Sequence, residues 1–248
     1  MKRKERHHLK ENELAHTIAA ARAALEARKR QVTAVLIALL VIAAVAAGIV
    51  VWQRQDDARA ERLLADAMVA LNARVVPATS TPEQPGEVPA AASIGATGSF
   101  ATEAAKLNAA LPKLKTAADA YPATDAAVTA RYHYASSLAA LGRHDEAIRE
   151  FDEVVRRAGD RSLYERMSRL GKADAQTRAG QFEAAIATWK SLASSTDEEL
   201  PKDGILMELG KAYQAIGNQE EARKAFTQVV DEHPTSPYLA EARAELGG

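Results

Sequence analysis

Apolar residues along this chain fall into distinct regimes, and each regime predicts a different kind of element. From Val32 to Trp52 there are 21 consecutive residues without a charge, VTAVLIALLVIAAVAAGIVVW. At about 1.5 Å per residue, such a run makes a helix of about 30 Å, the thickness of a bilayer's hydrocarbon core, with its backbone polar groups satisfied internally. The pattern predicts a transmembrane helix over 32–52. A cleaved signal peptide is the rival reading, because Ala44, Val45 and Ala46 imitate a small-residue cleavage site. The run exceeds the roughly 7–15 apolar residues of a signal core, and the segment before it is longer than an n-region, so the leader and span are expected to be retained.

On either side of the run the periodicity is that of amphipathic helices. In the basic leader, residues 1–31, Asn12 can cap a short helix that carries Leu14, Ile18, Ala21 and Leu25 on one stripe. Residues 53–76 continue helically, with Leu64, Met68 and Leu71 on one face. Periodicity then stops. Residues 77–99 hold four prolines and three glycines, the composition of a linker or insertion rich in Pro, Gly and Ala. From Phe100 to the end, helical spacing returns, interrupted by Pro, Gly and Asp every few tens of residues.

Those interruptions are regular. The segments LGRHDEAIREF (141–151), AGQFEAAIATW (179–189) and IGNQEEARKAF (216–226) share a glycine, an alanine five residues on and an aromatic four further. The alanines, Ala147, Ala185 and Ala222, are 38 and 37 residues apart, a period that marks a helical-hairpin repeat. Glycine suits the tight turn between paired helices, alanine lets them approach, and the aromatic fills the gap to the next hairpin.

This pattern resembles the tetratricopeptide repeat. The third copy carries it most fully, with Leu209, Gly210, Tyr213, Gly217, Ala222, Phe226 and Pro234. The first keeps Leu138, Gly142, Ala147 and Phe151, and the second Gly180, Phe182, Ala185 and Trp189. The stretch YPATDAAVTAR (121–131) echoes HPTSPYLAEAR (233–243), so an earlier, degenerate hairpin is expected before Pro122. Its first half would come from residues 55–74, with the Pro-rich segment inserted. A last helix, 237–246, would cap the stack. The fold class is therefore all-α: one transmembrane helix followed by a tetratricopeptide-type helical-hairpin solenoid, with repeats and cap over 100–248.

Composition agrees, since 47% of residues are hydrophobic and only 5% aromatic, which favours thin, closely packed helices over a sheet sandwich. Charge sets the orientation. Nine Lys/Arg lie in residues 1–31 and three in the 20 residues after Trp52, which places the N-terminus in the cytoplasm and the repeats outside. The net charge of −1 hides a basic leader and an acidic region over residues 100–248, so the external domain has no field for nucleic acid. The leader's positive charge suits topology, with lipid headgroups or RNA as further contacts it could make.

Catalytic and cofactor motifs are not apparent. The chain has no cysteine, which removes disulfides, thiol nucleophiles and cysteine-held zinc. Asn12 stands where the first histidine of a HExxH motif would be required before Glu13 and His16. His7, His8 and His16 with Glu11 offer adventitious metal contacts at most, and His133, His144 and His233 lie on different repeats as surface or turn residues. Gly171-Lys172 and Gly210-Lys211 lack the rest of a phosphate loop, and Asp197-Glu198-Glu199 reads as a solvated connection. No cofactor or metal is expected, and a hidden hydrolase or metal-dependent enzyme is the alternative of another class, without a motif to support it.

Binding is the expected function. The repeat register places Tyr132, Ser136, Met167, Leu170, Asp174, Arg178, Met207, Lys211 and Gln214 on the groove formed by the first helices. Members of the repeat family that clamp a peptide carboxylate use Lys and Asn where Tyr132 and Ser136 stand, so an apolar patch of Met167, Leu170 and Met207 is the expected contact, unless these three belong to the core. The order of basic leader, single span, interrupted hairpin and repeats is similar to the single-span YfgM-type family, described as ancillary subunits of the SecYEG translocon. That resemblance implies an inner-membrane scaffold or chaperone-like factor with a periplasmic repeat domain, and partners among translocon subunits and non-native exported polypeptides. An adaptor in envelope assembly or cell division is the alternative.

Overall fold

The computed structural model describes residues 29–76, 99–160 and 162–247, so the leader helix at Asn12, the three leader histidines and nearly all of the Pro-rich segment lie outside the described residues. The chain divides into two compact units, Met1–Gln55 and Asp56–Gly248. In the first unit, helix α1 (Lys29–Leu71) begins. From Thr33 it is long and apolar enough to cross a membrane, and none of its most apolar stretch is buried. Side chains such as Leu40, Ile42 and Trp52 are more than half exposed.

The second unit is a stack of helical hairpins. Among the described residues, the last turns of α1 are followed by β1 (Arg74–Val75), β2 (Ser99–Phe100) and eight helices: α2 (Glu103–Ala120), α3 (Asp125–Ala140), α4 (His144–Arg157), α5 (Leu163–Arg178), α6 (Phe182–Ala193), α7 (Lys202–Ala215), α8 (Gln219–Glu232) and α9 (Leu239–Gly247). β1 and β2 pair in parallel, Arg74 with Ser99 and Val75 with Phe100, and the amide of Val76 donates to the carbonyl of Phe100 at 2.9 Å. The two ends of the Pro-rich segment are thereby held side by side, a closure with no signal in the hydrophobic pattern.

Helix starts follow local chemistry. Thr102, Thr124, Ser162 and Asn218 each accept a hydrogen bond from the amide three residues on, satisfying a donor that the first turn leaves unpaired. The three repeat turns close alike. Gly142, Gly180 and Gly217 have φ of 75°, 74° and 77°, the left-handed region that favours glycine. The amide after each glycine donates back to the helix, Arg143 to Leu138, Gln181 to Gln176 and Asn218 to Tyr213, all at 2.9 Å. This is the Schellman closure, which satisfies carbonyls at a helix end and aims the chain into an antiparallel partner. The longer connection between α6 and α7 uses a side chain instead. The Lys202 ammonium donates to the carbonyls of Leu192, Ala193 and Ser195 at 2.7, 3.1 and 2.7 Å, and burial there lowers its pKa.

Packing explains the repeated alanine and aromatic positions. Ala147, Ala185 and Ala222 are essentially inaccessible, as are Phe151, Trp189 and Phe226. A Cβ on Gly210 would stand 2.4 Å from the Phe226 ring, and one on Gly171 would stand 2.6 Å from Phe151. Phe151 thus reaches the following hairpin, as the pattern predicts, whereas Phe226 seats on the glycine of its own hairpin. The fold begins with the last turns of α1, where Ala60 and Ala67 are fully buried and Leu63 and Leu64 pack with Ala117, Ala118 and Ala130. Buried Arg131 on α3 joins three helices by ion pairs to Asp119 of α2 at 2.5 Å and Glu150 of α4 at 2.6 Å.

Candidate protein-binding cleft

Helices α3, α5 and α7 are the first members of successive hairpins. Between α3 and α5 lies a cleft of about 420 Å³. Its floor is made of small side chains, Ser136, Ala139, Ala140 and Gly171, and its wall of Tyr132 and Phe151. Asp174 and Arg178 stand at the rim, where the guanidinium donates to the carboxylate at 2.8 and 3.0 Å. The pairing raises the pKa of Arg178, chiefly through the Asp174 hydrogen bond, and the ion pair leaves the rim locally neutral.

Tyr132 is the centre of an aromatic group. Its ring centroid lies 5.4 Å from Tyr164, 6.1 Å from Phe151 and 5.3 Å from His133, within the range of favourable tilted and edge contacts. In a chain with so few aromatics, this places the partly exposed Tyr132 ring and the buried Phe151 ring beside a floor of small residues. The chemistry suits apolar side chains of an extended or helical segment, with Ser136 and the tyrosine hydroxyls as polar contacts.

The structure brings together Tyr132, Ser136, Asp174 and Arg178 of the sequence-derived groove residues. Met167 and Leu170 are partly buried on α5, and Leu170 packs against the core of the later hairpins. Met207 is different. It is 0% exposed and belongs to the core with Ile205, Leu206 and Leu209, so it lines no groove. On α7 the partly exposed stripe is taken by Gly204, Glu208 and Lys211, and Met207 falls on the faces packed against the neighbouring helices. Lys211 and Gln214 are tied to the last helix, Lys211 to Glu241 at 3.0 Å and Gln214 to Glu245 at 2.7 Å. Burial pulls the Lys211 pKa down, but hydrogen bonds to Glu241 and Glu208 outweigh it and hold the ammonium above its usual value.

Phe151, which the repeat pattern marks as a packing residue, and Gly171, Ala139 and Ala140, which it does not mark, also line the cleft. The pairing of Phe151 with Gly171 carries the signal: a glycine placed to receive a ring also leaves a depression beside it. In the acidic connection Glu198 and Glu199 are exposed, as a solvated connection requires, whereas Asp197 is sheltered, and Asp197 and Glu199 both pair with Arg166. Among the described residues no group of three His, Asp or Glu side chains is placed to hold a metal ion.

Comparison with known proteins identifies the repeats. Tetratricopeptide-repeat family models match residues 101–162 and 205–236. No curated protein matches the sequence. Among solved structures, the nearly identical TPR-like repeats of a putative kinesin light chain from Podosopora anserina are similar at 20% identity and a TM-score of 0.48, covering 57% of this chain and 76% of that one. A point-substituted form of that protein gives the same figures.

Proposed function

We propose that this protein is a single-span membrane protein whose external tetratricopeptide domain binds apolar segments of other polypeptides in the cleft between α3 and α5. The carrying observation is the cleft itself, where the partly exposed Tyr132 ring borders the small residues of the floor beside a charge-neutral rim. Tetratricopeptide repeats are protein-interaction scaffolds, and the fold supplies no convergent set of acid, base and nucleophile in this cleft. Charge asymmetry about the span and its resemblance to the YfgM-type family support a periplasmic domain. The clients are then exported polypeptides that have not yet folded, met beside the translocon.

The chain has no cysteine, so Ser136→Cys creates a unique attachment point for a thiol-directed photo-crosslinker. Adducts with newly exported polypeptides are the expected result, and Ala140→Trp, which fills the floor, should suppress them. Adducts restricted to folded envelope or division proteins would replace the chaperone-like role by that of an adaptor. Adducts unaffected by Ala140→Trp would remove the cleft from binding altogether.

Orientation has its own test. A reporter active only outside the cytoplasm, fused after Gly248, should be active, since nine basic residues precede the span and three follow it closely. Activity only from a cytoplasmic reporter at the same position would reverse the topology.

A further inference from the structure

We propose that α9 carries a docking face for a helix of another polypeptide: that helix lies on α9 as α4 lies on α3, and a carboxylate on it pairs with Arg243. The template is internal. Arg243 follows Arg131 by 112 residues, or three repeat periods, and Asp231 follows Asp119 by the same interval. This face is separate from the cleft between α3 and α5 and does not depend on what that cleft binds.

The two places are built alike. Asp119 and Asp231 stand in the last turns of α2 and α8. The same turn follows each helix, with the Thr124 amide donating to the Tyr121 carbonyl at 3.1 Å and the Ser236 amide to the His233 carbonyl at 3.0 Å. The next helix then opens in the same way. The amide of Ala127 donates to the Thr124 carbonyl at 3.1 Å, and that of Leu239 to the Ser236 carbonyl at 3.2 Å. Ala130 and Ala242, one residue before each arginine, are both 0% exposed.

What covers the arginines differs. Arg131 is buried, its guanidinium held by Asp119 on one side and by Glu150 of the overlying α4 on the other. On α5 the same register position is Arg169, which donates to Ser191 of the following helix α6 at 3.0 Å. On α7 it is Leu206, buried in one cluster with Ala225 and Val229 of the following helix α8. Three successive hairpins thus turn this position toward the next helix. On α9, Arg243 is exposed, and among the described residues neither it nor Asp231 has an ion pair or a side-chain hydrogen bond.

The occupant's chemistry follows from that contrast. Arg243 keeps its fork of N–H donors for a carboxylate arriving from outside, and a charge-assisted pair of this kind fixes orientation as well as affinity. A helix is the form that delivers it. On α3 the carboxylate comes from an amphipathic helix whose Ala147 and Phe151 cluster with Ala135. The counterpart of Ala135 is Gly247, which shares an exposed stripe with Ala240, Arg243 and Ala244, small enough for another helix to approach closely.

Photo-crosslinking of the full-length chain in intact membranes tests this, with benzoylphenylalanine in place of Ala240 and the adduct read by mass spectrometry. The expected adduct maps to a segment of another protein that has helical apolar spacing and an Asp or Glu within it. Arg243→Glu should cut its yield about tenfold, the scale of losing a charge pair at an interface. Arginine in place of the partner's carboxylate should restore the yield with the Arg243→Glu chain. Because Arg243 is exposed, the substitution should leave the melting temperature unchanged, so the loss is one of docking and not of folding. Ala140→Trp should leave this adduct intact, which separates the α9 face from the α3–α5 cleft. Absence of an adduct, an adduct indifferent to Arg243→Glu, or failure of the charge swap to restore it overturns the proposal. An adduct between two copies of this chain overturns it as well and makes the face a self-association surface.

Discussion

Replacing Phe226 by alanine should destabilise the repeat domain by about 3–5 kcal/mol, because a fully buried ring is lost and the wall left behind cannot collapse freely. For a domain of this size that corresponds to a fall in melting temperature on the order of 10 °C, read from circular dichroism at the helical band. The reason is geometric. Phe226 rests against the backbone of Gly210, where even a Cβ would come within 2.4 Å of the ring. Gly210→Ala should therefore also destabilise, by about 1–3 kcal/mol through overpacking. Combining Gly210→Ala with Phe226→Leu should cost less than the sum of the two single changes, since the smaller side chain makes room for the added methyl group. Additivity would mean that the two positions do not share a packing contact and that the hairpin is held another way.

The same pair shows what the sequence makes legible. A glycine in the middle of a helix is unfavourable by roughly 1 kcal/mol against alanine, so Gly171 and Gly210 signal a close approach by their position in the helical pattern alone. The turn glycines are equally readable, because one residue type satisfies one backbone requirement three times at a nearly constant spacing. Pairing of Arg74 and Val75 with Ser99 and Phe100 was not legible. Two-residue strands carry no periodicity, and their partners are separated by the Pro-rich segment. Nor could spacing reveal that Lys202 closes the end of α6, since a lysine beside a proline has many potential partners until the turn is folded.

The groove was legible in part for a related reason. Repeat register assigns a residue to a helix face, but the boundary between face and core depends on how deeply the next helix sits. Tyr132, Ser136, Asp174 and Arg178 fall beside one opening because α3 and α5 present small residues there. On α7, Ile205, Leu206, Met207 and Leu209 are all buried, so the register position that opens on α5 is closed two helices later. The apolar patch expected from Met167, Leu170 and Met207 is thereby divided between a partly exposed site and the core.

That division leads to opposite outcomes for two chemically identical substitutions. Met207→Glu should destabilise the domain by about 3–5 kcal/mol, the scale found when a buried charge has no partner, because Met207 is 0% exposed among leucine and isoleucine side chains. Burial would raise the pKa of the new carboxyl, so the deficit relative to wild type should shrink as pH falls and the group becomes neutral. Met167→Glu should leave the melting temperature nearly unchanged, since its side chain is partly exposed and a charge there can remain hydrated. If Met167 contributes to client contact, its glutamate variant should lose crosslinking through the thiol of the Ser136→Cys background while retaining full stability. Thermal melts of both variants at neutral and acid pH, measured alongside crosslinking, separate the two roles. A stable Met207→Glu protein would contradict the buried position of that side chain. A Met167→Glu protein with undiminished crosslinking would confine client binding to the cleft itself, which Met167 does not line.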